Sequence, residues 1–127
     1  MSDLRFIATD SAPKAIGPYS QGVIANGFLY TAGQIALDPA TMEVVPGGVT
    51  AQTERVMKNL DAILKAAGSS LSRVVKTTCF LATIDDYARM NEVYARWFGD
   101  HKPARSTVAV KTLPKNVLVE IDVVALV

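Results

Sequence analysis

Apolar residues recur at helical spacing in two segments of the chain. In the first, Val49–Ala67, they fall on one stripe, and Gly68 follows where a left-handed C-cap is expected. The second begins at Asp85 and Asp86, whose carboxylates complement the positive end of a helix dipole, and its aromatic and apolar residues continue at three- and four-residue spacing until Gly99. The pattern predicts two amphipathic helices.

Other segments have the short apolar or alternating pattern of β-strands. Asn26-Gly27 is the two-residue signal for a type I′ turn, so the segments on either side of it are predicted to form a hairpin. β-Branched and aromatic residues favour strands elsewhere. The predicted strands are Leu4–Ala8, Gly22–Ala25, Phe28–Ala32, Val74–Ala82, Ser106–Thr112 and Val117–Val127.

The order of these elements predicts a single α+β domain over residues 1–127, built on one mixed β-sheet with two helices on one face. In the last strand both sets of alternating residues are largely apolar, from Val117 to Ala125 on one face and from Leu118 to Leu126 on the other. Because two helices cover only one face, the second face is expected to pack against another copy of the chain.

Composition excludes several classes of function. The net charge is +1 with no run of like charge, so binding to nucleic acid is not expected. One cysteine and one histidine predict neither a disulfide nor a zinc site, and no metal or cofactor is expected. The N-terminus lacks the pattern of a signal peptide and no apolar stretch is long enough to span a membrane, so we expect a soluble cytoplasmic protein.

Glu120 and Arg105 are the most informative charged residues. Glu120 stands between apolar residues on a sheet face that is expected to be buried, where a carboxylate is costly unless it is paired or lies in a polar cleft. It either forms a structural ion pair or takes part in chemistry. Arg105 follows Pro103 at the predicted start of a strand, and its planar guanidinium suits a small carboxylate ligand.

The residues around these two resemble a known family. The segments Pro103-Ala104-Arg105-Ser106, Leu113-Pro114-Lys115 and Val119-Glu120-Ile121 are similar to the C-terminal signature of the RidA/YjgF family of imine deaminases, also described as L-PSP proteins. The likeness extends over the whole chain. It includes Ala15-Ile16-Gly17-Pro18-Tyr19-Ser20-Gln21, Gly33-Gln34-Ile35 and Val75-Lys76-Thr77-Thr78.

The resemblance implies a chorismate-mutase-like fold assembled as a homotrimer, with sites in the clefts between subunits. It also implies hydrolysis of enamines and imines such as 2-aminoacrylate and 2-iminopropionate, which pyridoxal-phosphate-dependent dehydratases release, to 2-oxo acids and ammonia. Arg105 is then expected to bind the substrate carboxylate, and Glu120 to position and activate water. No cofactor is needed, because an imine is already electrophilic.

Four further residues are candidates by the same resemblance. Tyr19 would close over the ligand, and the backbone N–H of Gly33 would approach its carboxylate because no Cβ intervenes. The carbonyl of Thr107 would accept from the imine nitrogen, and Asn91 would face the cleft or hydrogen-bond a neighbouring carbonyl. Thr107 stands where many relatives have cysteine, and Ala32 where many have serine, which leaves rate and substrate preference open.

Two other functions remain open from the sequence. The chain could bind 2-oxo acids or other small carboxylates through Arg105 as a sensor without turnover, because binding and hydrolysis use the same arginine. A translation-inhibiting ribonuclease is also described in the family, but the neutral charge and single histidine disfavour it.

Cys79 is interpreted as a small core residue, and the stripe Tyr87, Tyr94, Trp97 and Phe98 as core or interface.

Overall fold

A computed structural model describes residues 3–127. Its two helices and six strands follow the predicted order. The elements are β1 (Arg5–Ile7), β2 (Gly22–Ala25), β3 (Phe28–Thr31), α1 (Val49–Ala66), β4 (Val74–Leu81), α2 (Tyr87–Phe98), β5 (Ala104–Ala109) and β6 (Val119–Leu126).

The strands form one sheet in the order β1-β2-β3-β6-β4-β5. The pair β4–β5 is parallel and every other neighbouring pair is antiparallel, so the sheet is mixed. The prediction of an α+β fold with one mixed sheet and two helices is confirmed. Neither helix among residues 3–127 has the length and apolarity that crossing a bilayer requires.

Local sequence signals explain how the elements begin and end. Asn26 and Gly27 have φ angles of 51° and 81°, the positive values that a type I′ turn needs, and they join β2 to β3. Gly68 has φ 79° just after α1, as the predicted C-cap requires. Before α2, the Thr83 hydroxyl accepts a hydrogen bond from the Asp85 backbone N–H at 3.2 Å and caps a short 3₁₀ turn that leads into the helix.

Both helices pack on the same face of the sheet and form the core there. Leu60 and Ile63 of α1 and Met90 of α2 are fully buried in one cluster with residues from the central strands. In β6 the buried positions alternate with partly buried ones, as the sequence predicted, and Ile121 and Val123 point toward the helices.

The opposite face of the sheet is not covered by any described element and is rich in apolar side chains. Phe6 on β1, Tyr30 on β3 and Val108 on β5 are 67%, 49% and 45% exposed. Their register places all three on the side away from the helices, where Glu120 also lies. We call this surface the open face. Its apolar character is the structural basis for expecting a second copy of the chain to pack against it.

Every strand except β2 differs in extent from the prediction, and the differences in β5 and β6 are the largest. β5 begins at Ala104, directly after Pro103, and ends at Ala109, whereas Ser106–Thr112 was expected. β6 begins at Val119 instead of Val117, because Lys115 and Asn116 take left-handed φ angles of 55° and 54° in a turn that delays the extended backbone. The shift places Arg105 inside the strand, in register with β4, instead of just before it.

Candidate functional site

Glu120 projects from β6 onto the open face and lies against Gly33. Two backbone hydrogen bonds join Gln34 to Ile121, from Gln34 N–H to the Ile121 carbonyl at 2.9 Å and from Ile121 N–H to the Gln34 carbonyl at 3.1 Å. This bridge holds the Gly33 turn beside β6. A Cβ on Gly33 would overlap the Glu120 carboxylate oxygen Oε2 and lie 2.9 Å from the carboxyl carbon. The glycine therefore leaves the space that the carboxylate occupies.

The contact leads to a prediction for Gly33→Ala. Gly33 does not have a positive φ, so alanine is compatible with the backbone, but its methyl group must displace the Glu120 carboxylate. We expect the variant to fold and to lose at least about tenfold in the rate of any reaction that depends on Glu120, because a displacement of about 1 Å is costly to catalysis. Thermal unfolding and steady-state rates measured on the same preparation check this. Full activity would show that the position of the carboxylate is not critical.

A cavity of about 580 Å³ opens beside Glu120. Tyr19 and Gly33 also line it, so the structure brings together three of the residues that the sequence singled out. The Tyr19 hydroxyl accepts a hydrogen bond from the Ile16 backbone N–H at 3.3 Å within its own loop. Gln21 anchors that loop, because its buried amide donates to the Pro13 carbonyl at 2.8 Å.

The surroundings of Glu120 disfavour its ionised form. Burial raises the pKa of the Glu120 carboxyl above its ordinary value, and the nearby carboxylate of Asp122 raises it further. Burial also raises the pKa of Asp122, although the ammonium of Lys76 acts in the opposite direction. Glu120 is thus a carboxyl group that takes up a proton more readily than an exposed glutamate.

Arg105 projects from β5 toward α2, which fixes its guanidinium. Nη1 donates to Asn91 Oδ1 at 2.7 Å, and Nη2 donates to the Tyr87 hydroxyl at 2.6 Å. The guanidinium carbon lies 4.7 Å from the centre of the Tyr94 ring, within the range of a cation–π interaction. Arg105 and Asn91 line a second cavity, of about 420 Å³.

The acceptors around Arg105 are neutral. An amide oxygen, a phenol and an aromatic face orient the guanidinium without neutralising its charge. Among residues 3–127, no carboxylate lies within ion-pair distance of Arg105. The structure therefore presents a rigid cation whose charge remains available to an anionic ligand.

Arg105 and Glu120 lie on opposite faces of the sheet. Arg105 pairs with Thr77, and Thr77 pairs with Val123, whose side chain is buried under the helices. Glu120 pairs with Phe80 instead, three residues along the strand, on the open face. The Cα atoms of Arg105 and Glu120 are therefore about 14 Å apart, because the two residues are separated by two strand spacings across the sheet and by three residues along the strand direction. One chain alone therefore does not bring its two central candidates together.

Thr107 lies on the helix side of β5, beside Cys79 of β4. Its hydroxyl is buried and has no hydrogen-bond partner among the described residues. Cys79 is fully buried, and burial raises the pKa of its thiol to about 11, so it is an unreactive core residue, as the sequence indicated.

No group of three or more His, Cys, Asp and Glu side chains converges as metal ligands would within residues 3–127.

Two tyrosines hold Arg105 that the sequence pattern does not identify as site residues. The pattern places Tyr87 and Tyr94 in an apolar helical stripe, but they lie four residues before and three residues after Asn91, on the same side of α2. Their spacing from a candidate amide was the signal that could have identified them. Tyr94 also hydrogen-bonds Thr77 at 2.8 Å, so its ring is held from the core side.

The chain is similar to proteins of known family over almost its whole length. The family model described as endoribonuclease L-PSP matches residues 9–127. A Lactococcus lactis protein with the name "Putative regulator AldR" is 54% identical, with 96% of this chain and 97% of that protein covered. Human 2-iminobutanoate/2-iminopropanoate deaminase is 45% identical over 96% of this chain and 89% of its own length.

A solved structure shows the same fold. Escherichia coli TdcF with bound serine superposes with a TM-score of 0.92 at 41% identity, and the match covers 97% of this chain and 98% of that one. The family match, the identities and the shared fold agree with the C-terminal motifs around Arg105 and Glu120. The chain therefore belongs to the L-PSP family, which is also called the RidA/YjgF family.

Proposed function

We propose that the protein is a 2-iminobutanoate/2-iminopropanoate deaminase that hydrolyses short-lived 2-imino acids and their enamine tautomers to 2-oxo acids and ammonia. The observation that carries the proposal is the guanidinium of Arg105, fixed by neutral acceptors and left with an uncompensated charge. Such a group binds a carboxylate in two parallel hydrogen bonds. The human relative that is named as a deaminase of this kind supports the reaction.

The complete site requires a second copy of the chain. Arg105 and Glu120 lie on opposite faces, so one subunit supplies the arginine and its neighbour supplies the glutamate. A homotrimer that covers the open face satisfies this requirement three times by symmetry and also buries exposed side chains such as Phe6 and Tyr30. The TdcF structure with bound serine, a small molecule with a carboxylate, supports a ligand of this size that carries a carboxylate.

The reaction needs water, a proton acceptor and a proton donor. Arg105 holds the substrate carboxylate and so fixes the position of the C=N carbon. The imine reacts as its iminium, with a proton already on nitrogen. Glu120 accepts a proton from water as the oxygen bonds to the carbon, and the C=N electron pair moves to nitrogen, which gives an amine and a hydroxyl on a tetrahedral carbon. Glu120 then returns the proton to this nitrogen, and the C–N bond breaks with its electron pair leaving on ammonia. As the C=O bond of the 2-oxo acid forms, the hydroxyl proton passes to the Glu120 carboxylate and is released with ammonia as ammonium.

The other candidates complete the site in supporting roles. Tyr19 closes the cavity over the ligand from its loop, and the Gly33 backbone N–H approaches the ligand from the turn beside Glu120. The Thr107 carbonyl accepts from the imine nitrogen. Asn91 orients the Arg105 guanidinium, because Asn91 Oδ1 accepts a hydrogen bond from Arg105 Nη1 at 2.7 Å.

A coupled assay tests the proposal. A pyridoxal-phosphate-dependent serine or threonine dehydratase generates the imine, and its disappearance is followed with and without this protein. We expect the protein to accelerate formation of the 2-oxo acid above the spontaneous rate at substoichiometric concentration. A rate equal to the spontaneous one, with the folded protein present, would overturn the assignment.

A carboxylate sensor is the second candidate. It is favoured by one observation, namely that a relative of 54% identity has the name "Putative regulator AldR". The sensor predicts saturable binding of a 2-oxo acid such as pyruvate, loss of that binding when Arg105 is replaced, and no acceleration of imine hydrolysis. The coupled assay and a calorimetric titration together separate the two functions.

The raised pKa of Glu120 gives the deaminase a characteristic pH dependence. Glu120 must be ionised to accept a proton from water, so kcat should fall as the pH decreases through its raised pKa. Asp122→Asn removes the like charge that raises this pKa further, and the acid limb of the profile should therefore move to lower pH. A profile of kcat against pH for both proteins checks this. If the acid limb of the profile does not move in Asp122→Asn, or if it moves to higher pH, the role of Asp122 is contradicted.

A further inference from the structure

We infer that Tyr87 is a positioning residue, which sets the orientation of the Arg105 guanidinium for the substrate carboxylate. The inference rests on the proposed function, because it takes Arg105 as the carboxylate-binding group. It assigns a role to a residue at the first position of α2, where the sequence showed only one member of an apolar stripe.

Two hydrogen bonds and two aromatic rings fix the guanidinium. The centres of the Tyr94 and Tyr87 rings lie 4.7 Å and 5.5 Å from the guanidinium carbon. Asn91 Oδ1 takes a hydrogen from Nη1 at 2.7 Å, and the Tyr87 hydroxyl takes one from Nη2 at 2.6 Å. Without the Tyr87 hydrogen bond, the two rings still face the guanidinium, but only the Asn91 hydrogen bond fixes its direction, so the group can rotate about that bond.

Orientation matters because the arginine fork recognises a carboxylate through two parallel hydrogen bonds. The hydrogen bonds to Tyr87 and Asn91 use one N–H each from Nη2 and Nη1, and they leave the remaining N–H donors free to bind a ligand. A guanidinium that is already held in place loses less rotamer freedom when the carboxylate binds. Tyr87 therefore contributes to affinity without touching the reacting carbon.

The surroundings of Tyr87 indicate that its hydroxyl does not stabilise the core. The residue is 37% exposed and lies outside the buried cluster that α2 forms with the sheet. Arg105 is the only hydrogen-bond partner of this hydroxyl within residues 3–127. Removal of the hydroxyl therefore leaves the packing of α2 unchanged.

The test compares Tyr87→Phe with the wild-type protein. Isothermal titration with pyruvate, a stable carboxylate ligand, should give a Kd about 5- to 10-fold higher for the variant, as expected for the loss of one hydrogen bond to a charged group. In the coupled assay KM should rise by a similar factor while kcat stays within about twofold, because the lost contact acts on binding. The melting temperature should not change.

Trp97→Phe is the matched control. It removes another side-chain hydrogen bond of α2 to a charged group, from Trp97 Nε1 to Glu54 Oε1 at 3.0 Å, at a position that does not contact Arg105. Its Kd for pyruvate should equal that of the wild type. A second ligand, pyruvamide, which lacks the carboxylate, should bind Tyr87→Phe and wild type alike.

The outcomes separate this inference from the proposed function. If the wild type binds pyruvate and Tyr87→Phe binds it equally well, the positioning role of Tyr87 is wrong while the assignment of Arg105 stands. If the wild type neither binds pyruvate nor accelerates imine hydrolysis, the proposed function itself fails. A higher Kd for Tyr87→Phe, with Trp97→Phe unchanged, supports the inference even if turnover is absent, because the titration measures only carboxylate binding.

Discussion

Glu120→Gln is expected to lower kcat for imine hydrolysis by about 10²- to 10⁴-fold, the range that general acid–base groups contribute. The amide fills nearly the same space beside Gly33 but cannot accept a proton from water. KM should change little, since substrate binding depends on Arg105 on the other half of the site. Single-turnover and steady-state rates on imine generated by a dehydratase measure both quantities.

The same variant also tests the cost of the buried carboxylate. Burial raises the pKa of Glu120 in the folded protein, so the folded state holds the proton more tightly than the unfolded chain does. The stability contributed by this group is therefore greatest below its unfolded pKa and is lost as the pH rises through the folded pKa. Glu120→Gln should lose that part of the pH dependence. A variant that is inactive but also less stable at neutral pH would point to a structural role for the carboxylate.

Arg105→Ala is expected to lower kcat/KM by about 10²- to 10⁴-fold, because two charge-assisted hydrogen bonds of about 1.5–3 kcal/mol each are lost. Arg105→Lys should recover only part of this loss, since a lysine ammonium keeps the charge but not the planar fork. Titration with pyruvate checks binding directly. Wild-type affinity in Arg105→Ala would exclude this residue as the carboxylate site.

The two variants together test the assembly of the site. If each site takes Arg105 from one subunit and Glu120 from its neighbour, refolding Arg105→Ala and Glu120→Gln in a one-to-one mixture should restore about a quarter of the sites, by random assortment of subunits. Each variant refolded alone is the control. No recovery in mixed oligomers, once their formation is verified, would show that both residues act within one chain.

Local signals made much of the fold predictable. Asn26-Gly27 determines a turn that only residues tolerant of positive φ can form, and Gly68 ends α1 for the same reason. The single mixed sheet with two helices on one face also followed from the order of elements and from the alternation along β6. In each case residues close in the sequence carry the information.

The geometry of the site depended on contacts between distant residues. Arg105 and Glu120 were identified by short motifs, but the sheet register that places them on opposite faces arises from the pairing of β4 with both β5 and β6. The predicted ends of β5 and β6 differ from the actual ends by a few residues. Because a shift of one residue moves every side chain to the other face, the predicted strands could not give the register. The hydrogen bond from Arg105 to Tyr87 likewise joins two elements whose packing the sequence does not show.

The division of the site across the sheet gives the proposed enzyme an unusual dependence on its own concentration. A dissociated chain retains a complete core and both half-sites, yet it has no reaction centre. Specific activity should therefore decrease on dilution below the dissociation constant of the oligomer, with an apparent kinetic order in protein above one, while the far-ultraviolet circular dichroism of the folded chain persists. Newly synthesised subunits would begin to consume reactive imines only after they meet one another.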